Sequence, residues 1–345
     1  MKYNQPYGMP EEDVLYSVPF VNGDPSIGRA GSIPPAESIE YDQREIIAVI
    51  QWAYDHGYRD YAAQLCQAPT NADLTQLLKA IFGIFNSRLL TTPREYWVDG
   101  VAGNDANDGL SAAKPFKTLQ KAQDTLVRFN LNGFDVTVHV APATYAKLTV
   151  GSISGSGNVT YIGDTTTPSN CTISSPLGAC IIGTGTGKYW FYGFKVTALD
   201  GQLGNYGIGV VTYGTATIGL GPMEFGYCKD GHLWASNGSY IGVYGPVRIT
   251  GNAAAHMLTD SGGRVLYDVV NKPMINIVNP ITVSQWANVG SGIIGAAYGT
   301  ITGFGNVTGK KYDVSRNGIL DTLGGGVNYL PGTVAGTTST GGQYL

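Results

Sequence analysis

Cysteine, histidine and charge are scarce in this chain, and it has no long apolar run. The 345 residues include 4 cysteines and 4 histidines, and only 13% are charged. Cys66, Cys171, Cys180 and Cys228 form no Cys-x-x-Cys pair, and no histidine stands near enough for a zinc site. They read as single buried thiols of a protein made in a reducing cytoplasm. No stretch approaches the ~20 apolar residues of a membrane span, so membrane insertion is not expected. Residues 1–20 are polar and proline-punctuated, unlike a secretory signal. A net charge of −4 leaves no basic face for nucleic acid. No metal and no cofactor are expected.

What the chain has in excess is glycine. Its 49 glycines far exceed the usual share of roughly 7%. No three-residue period runs through them, which excludes collagen. They separate β-branched apolar runs, the pattern of a protein built from many tight turns. Their distribution is uneven. Residues 1–95 hold 12 acidic, 7 basic and 6 glycine residues, whereas residues 96–345 hold 13, 14 and 43. The acidity lies in the first part, and the second is a nearly neutral, turn-rich scaffold.

The spacing predicts an extended arm over residues 1–35, punctuated by six prolines from Pro6 to Pro35. A helix follows from Glu37 to His56, with apolar residues recurring at Ile39, Ile46, Ile47, Val49, Ile50, Ala53 and Tyr54. A second runs from about Asp73 to Ser87, with Asn71 as N-cap and a stripe of Leu74, Leu77, Leu78, Ile81, Phe82 and Phe85. Two short helices make a thin core, so their stripes need each other, further copies, or a partner.

From residue 135 onward helical periodicity is absent. Strand candidates are short and closely spaced, from Asp135–Ala141 to Thr300–Phe304. A sandwich would show longer strands with cleaner alternation. Short strands between glycine turns fit a solenoid whose coils stack on one another. At about 20–25 residues per coil, residues 135–320 give about eight coils and a stack of about 40 Å. A helix at about Thr118–Phe129 is placed to cover the N-terminal end. Residues 324–345 read as a Gly/Thr/Ser tail that builds no further coil.

The transition between the two parts carries a motif. It reads Trp97-Val98-Asp99-Gly100, then Asn104-Asp105-Ala106-Asn107-Asp108-Gly109, then Lys114-Pro115-Phe116-Lys117-Thr118-Leu119-Gln120-Lys121-Ala122. This stretch resembles the opening of right-handed parallel β-helix domains, known from bacteriophage tail spikes and fibres and from polysaccharide lyases. Upstream, Asn22-Gly23-Asp24-Pro25-Ser26, Gly31-Ser32-Ile33-Pro34-Pro35-Ala36, Ile39-Glu40, Gln43-Arg44-Glu45-Ile46 and Asn71-Ala72-Asp73-Leu74 occur in order. That string resembles the N-terminal module of phage and prophage tail fibre proteins. The residues after 323 also look like the C-terminal end of such fibres.

These resemblances imply a mainly β protein: a right-handed parallel β-helix preceded by a small helical attachment domain with an extended arm. The expected divisions are 1–35, 36–95, 96–323 and 324–345, the last a tail or cap. They imply a homotrimer on the virion tail, made in the host cytoplasm. Residues 1–95 would dock to a tail or baseplate protein, with Asn22, Asp24, Pro25, Ile33, Pro34, Pro35, Ile39 and Arg44 as docking residues. The β-helix would present itself to host surface polysaccharide as a receptor-binding adhesin.

The residues leave two other readings open. A depolymerase needs carboxylates close in space, about 5–9.5 Å apart in a hydrolase. Glu224 is the sole glutamate after Glu95. With Asp200 and Asp230 it is the fallback catalytic set, on a reading in which isolated turn aspartates are the default. A purely structural baseplate part would need neither. For glycan contact the candidates are Trp190, Tyr192, Trp234, Tyr240 and Tyr244, whose ring faces suit sugars as well as a β core. Asp99, Asn104, Asp105, Asn107 and Asp108 read as turn formers, since their spacing is not that of an EF-hand. His232 and His256 are spaced to lie one coil apart. Gly183-Thr184-Gly185-Thr186-Gly187-Lys188 reads as a turn between coils, because no strand–loop–long-helix context surrounds it.

Overall fold

The computed structural model describes Ser26, residues 36–56, 66, 68, 76–86 and 88–345, with the helical side chains described over 45–56 and 76–81. It divides into two units, Met1–Leu89 and Leu90–Leu345. The docking candidates Asn22, Asp24, Pro25, Ile33, Pro34 and Pro35, and the N-cap Asn71, lie outside the described residues. So do the side chains of Ile39 and Arg44.

In the first unit two helices form, α1 (Ala36–Asp55) and α2 (Gln76–Asn86). Ile50, Ala53, Cys66 and Ala80 are buried together with Leu77 against them. Ile46, Ile47, Tyr54 and Leu78 stay exposed. The apolar stripe of α1 is wider than this small core covers.

The second unit is a parallel β-solenoid of about eight turns. Its first face is a 10-stranded sheet. The strands in order are Arg94–Val98, Val136–Val140, Val159–Ile162, Lys188–Tyr192, Thr217–Leu220, Tyr240–Val243, Arg264–Tyr267, Ile293–Gly295, Ile319–Asp321 and Gln343–Tyr344. Every pairing is parallel. A second sheet of 14 strands makes the other two faces. It bends where single strands turn a corner. Met223–Ala235 pairs through Met223–Phe225 on the second face, and through Gly231–Ala235 on the third.

Alternation decides what points inward. Val138, Tyr161, Phe191, Leu220, Val243 and Tyr267 are register partners in successive coils, and all are buried. Each such side chain contributes ~1.5–3 kcal/mol on burial. The rings of Tyr161 and Phe191 stack at 5.0 Å and 8°. Replacing either by alanine would open a cavity in the middle of this column.

A third helix, α3 (Leu119–Leu126), packs Leu119, Ala122 and Leu126 into the same core. Its N-cap Thr118 accepts from the Lys121 amide. Its buried Gln123 donates to Tyr189 Oη (2.7 Å) and accepts from Tyr161 Oη (2.8 Å). Asp105 takes the amides of Lys117 and Thr118 and the Thr118 hydroxyl, at 2.8, 3.0 and 2.9 Å. The acid-rich loop before α3 is a set of turns of this kind. Asp99 Oδ1 accepts from Val101 and Ala102, and Asp108 Oδ1 from Leu110.

Four details depart from the sequence pattern. The β-rich run Tyr189–Thr197 is two strands, because Gly193 at φ 77 breaks it. Cys171–Ser175, Ala253–Thr259 and Val307–Val314 are strands although small or polar residues interrupt their apolar pattern. The step from Val136 to its partner Val159 fits the expected coil length. The step from Val159 to Tyr189 exceeds it, because a loop with a 3-10 turn at Pro168–Asn170 is inserted. The tail does continue the stack: Thr337–Thr338 pairs with Asp313–Val314, and Gln343–Tyr344 with Ile319–Leu320. Backbone pairing in a solenoid needs no apolar side chain at every position, and Tyr344 supplies one ring, stacked on Tyr312 at 4.3 Å.

Candidate functional site

The first face carries an aromatic shelf on its outer side. Lys188–Tyr192 points Tyr189 and Phe191 inward, so Trp190 and Tyr192 point out. One coil later the outward positions are Gly219 and Gly221. A Cβ on Gly219 would lie 2.1 Å from Trp190 Cε3, and one on Gly221 would lie 1.8 Å from Tyr192 Cδ1. Each ring has settled over its own glycine. The two ring planes are parallel within 2°, with centroids 6.4 Å apart. Tyr244 lies over Gly242, two residues earlier in its own coil, and meets Trp190 at 4.7 Å. Its hydroxyl lies 3.2 Å from that of Tyr240. Trp190 Nε1 donates to Asn158 Oδ1 at 3.4 Å.

All four residues are half-buried, and the rings of Trp190, Tyr192 and Tyr244 lie against glycines of the sheet. Burial pushes the Tyr192 phenol up. The Tyr240 phenol is pushed further up, by burial and then by the Tyr244 hydroxyl, so both are neutral donors at neutral pH. The bordering column in register is Lys188, Thr217, Tyr240 and Arg264. Lys188 and Arg264 are exposed there.

Four of the five aromatic candidates therefore come together. Trp234 does not. It lies on the outer side of the third face, edge-on to Tyr206 (5.3 Å) and Tyr213 (5.8 Å). Sequence reasoning missed the glycines that shape the shelf. The signal was present: an outward Trp-x-Tyr in one coil is followed by Gly-x-Gly in the next.

The acids are separated. Glu224 belongs to a polar column on the second face, where Thr144, Thr172, Lys195, Glu224, Arg248, Asn276 and Thr302 are successive register partners. Its carboxylate is almost wholly buried. It meets Lys195 Nζ at 2.9 Å and Arg248 Nε at 3.7 Å, and accepts from Thr250 Oγ1 at 2.9 Å. Asp200 and Asp230 lie elsewhere, each bonded at the loop 199–207 to its own partner. Asp200 is held by the Lys229 ammonium, which keeps its carboxyl below the usual range, and Asp200 in turn raises the Lys229 amine. Asp230 Oδ2 accepts from the Gly207 amide at 2.7 Å. The three acids thus have separate structural partners, and none is left as an unoccupied base.

His232 and His256 do lie one coil apart, fully inside, with Nδ1 atoms 3.1 Å apart. His232 Nε2 donates to Gly226 O at 3.1 Å, so its Nδ1 accepts from His256. Phe225 and Trp286 enclose the pair. Burial holds His232 down at about 4 and His256 well below its ordinary value. Two neutral rings in contact, shut off from solvent, are packing groups. Burial likewise raises the thiols of Cys171, Cys180 and Cys228, Cys180 to about 12, and all four cysteines are buried thiols outside any disulfide. Gly183–Lys188 is a turn between strands, with Gly185 at φ 77. Among the described residues no group of three or more His, Cys, Asp or Glu could hold a metal, and no helix is long and apolar enough to cross a membrane.

Compared with known proteins, the sequence matches no family model and no curated relative. The class that fold and site define is a parallel β-solenoid with an aromatic outer shelf.

Proposed function

We propose that this protein is an adhesive solenoid of the phage tail-fibre or tail-spike type, which holds host surface polysaccharide on its first face. The observation that carries this reading is the shelf itself. Trp190, Tyr192 and Tyr244 offer ring faces to solvent, with hydroxyl and indole groups at their edges, the arrangement that suits the C–H faces of sugar rings. The acids speak for binding over cleavage, since each carboxylate of the fallback set is already neutralised or hydrogen-bonded.

The rest of the proposal follows from the sequence resemblance. Residues 1–95 dock the chain to a tail or baseplate protein, and the chain acts as a homotrimer on the virion. The exposed Ile46, Ile47, Tyr54 and Leu78 of the first unit are the apolar surface that further copies or a docking partner would cover. Several weak sites on one particle then act through avidity. The experiment is binding of the purified full chain to immobilised bacterial surface polysaccharides, followed by sizing of the polysaccharide. Retention without shortening, lost in Trp190→Ala, is the expected result. Shortening would replace this reading with the depolymerase, and no retention would leave the structural baseplate part.

A further inference from the structure

A separate cleft opens on the outer side of the third face, on residues that the aromatic shelf does not use. Its volume is about 240 Å³, and Trp234, Leu258, Asp260, Asn288, Ser315 and Arg316 line it. Trp234, Leu258 and Asn288 are register partners in three successive coils. They make one wall about 10 Å high, given ~4.8 Å per coil. The wall is apolar at one end and carries an amide at the other. Tyr206 and Tyr213 hold the Trp234 ring edge-on, so it is a fixed surface. The Ser236 hydroxyl donates to Asp260 Oδ1 and fixes that carboxylate. Neither Asp260 nor Arg316 is within ion-pair distance of an opposite charge among the described residues.

The backbone under Arg316 is unusual in a second, independent way. The corner between the third and first faces is a stack of left-handed turns: Asn237-Gly238, Ser261-Gly262, Ser291 by itself, Arg316-Asn317 and Thr340-Gly341. Three of them use a small polar residue followed by glycine, as φ > 0 demands. Arg316 at φ 53, followed by Asn317 at φ 60, is the one long side chain among the leading residues of these turns. A long charged residue in this conformation costs about 1–2 kcal/mol. The turn places the Arg316 guanidinium at the cleft mouth.

We infer that this cleft is a subsite for a hexuronate, a single sugar ring bearing a carboxylate. The volume lies below the ~300–1,000 Å³ of drug-sized sites and suits one ring. The Arg316 fork pairs with the carboxylate in the planar, two-bond manner that arginine favours. Asp260 accepts from ring hydroxyls, and Asn288 and Ser315 both donate and accept. Trp234 and Leu258 cover the C–H side. A simple anion would satisfy Arg316 alone and leave Asp260, Asn288 and Ser315 without hydroxyl partners. A neutral hexose would leave Arg316 without its partner. The inference shares the saccharide class of ligand with the function proposed above, but rests on different residues.

The test is ligand-observed saturation-transfer NMR on the full chain, with sodium D-galacturonate, sodium D-glucuronate, D-galactose, D-glucose and sodium acetate as probes. At least one hexuronate should bind about tenfold more tightly than the hexose of the same stereochemistry, the scale of one charge-assisted contact. Arg316→Gln should remove that preference, Arg316→Lys should retain part of it, and Trp190→Ala should leave it intact. Arg316 is exposed on a turn, so these variants fold. Three results would overturn the inference: hexose and hexuronate binding alike or not at all, acetate competing at equal concentration, or the preference disappearing in Trp190→Ala and surviving in Arg316→Gln. If Trp190→Ala leaves polysaccharide retention unchanged while Arg316→Gln still abolishes the hexuronate preference, only the shelf reading falls.

Discussion

The indole of Trp190 occupies the space above Gly219, where a Cβ would lie 2.1 Å from its Cε3. The two residues are register partners in adjacent coils. A glycine in a strand interior weakens the strand, and its common justification is close approach by another group. Here that group is an aromatic ring laid over the sheet, with Tyr192 over Gly221 and Tyr244 over Gly242 repeating the device.

Gly219→Val should therefore lift the Trp190 ring and break the shelf while the coils stay stacked. Saccharide retention should weaken roughly tenfold, the upper range for one well-placed ring. Tryptophan emission should shift as the indole moves. Unchanged retention in a folded Gly219→Val protein would mean that the ring arrangement does not matter.

Acid should destabilise the solenoid in a defined window. His232 and His256 are neutral in the fold, with His232 held at about 4 and His256 depressed by burial and by its neighbour. In the unfolded chain both take up protons near pH 6.5. The stability they permit is complete above about pH 6.5 and is lost as pH falls from there to about 4. Melting temperatures should drop across that interval. Replacing both histidines with phenylalanine should lower the melting temperature at pH 7 and flatten the drop. An unchanged slope in that double variant would place the acid sensitivity elsewhere.

Glu224→Gln tests the depolymerase directly. Removing the buried charge leaves Lys195 and Arg248 without a partner, but both cations reach solvent. The cost should be about 1–3 kcal/mol, below the 3–5 of a fully enclosed pair. Retention of polysaccharide should persist. A loss of polysaccharide shortening on this substitution would make Glu224 catalytic.

Asp105→Ala should lower stability by about 1–2 kcal/mol, because it strips the start of α3 of its acceptor. Calcium or a chelator should not move the melting temperature of either protein. A calcium-dependent rise would turn the acid-rich loop from a set of turns into an ion site.

The fold was legible because its signal is distributed. Glycine turns and short β-branched runs recur through the whole second part, so errors at single strands did not change the architecture. What stayed hidden were corners and weak strands. Met223–Ala235 turns a corner within one strand, with register shifts between Phe225 and Gly231 that the sequence does not announce. Ala253–Thr259 is too small in side chain to announce itself. The tail was misread because its pairing depends on the coil before it. The shelf was half legible: Trp190, Tyr192, Tyr240 and Tyr244 stand out as aromatics, but their common surface depends on which glycines fall opposite them. Trp234 looked equivalent in sequence and belongs to another face. Asp260, Asn288 and Arg316 gave no signal, since a cleft built from four coils exists only in register.

The central claim is that the first face binds saccharide through stacked rings and does not cut it. The most direct measurement uses light-scattering mass of the full chain, then retention on and sizing of bacterial surface polysaccharide, for the wild type and Trp190→Ala. The account predicts a mass near three chains, retention of intact polysaccharide by the wild type, and loss of that retention in Trp190→Ala. A wild type that shortens the polysaccharide, or a Trp190→Ala protein that retains it equally well, would contradict it.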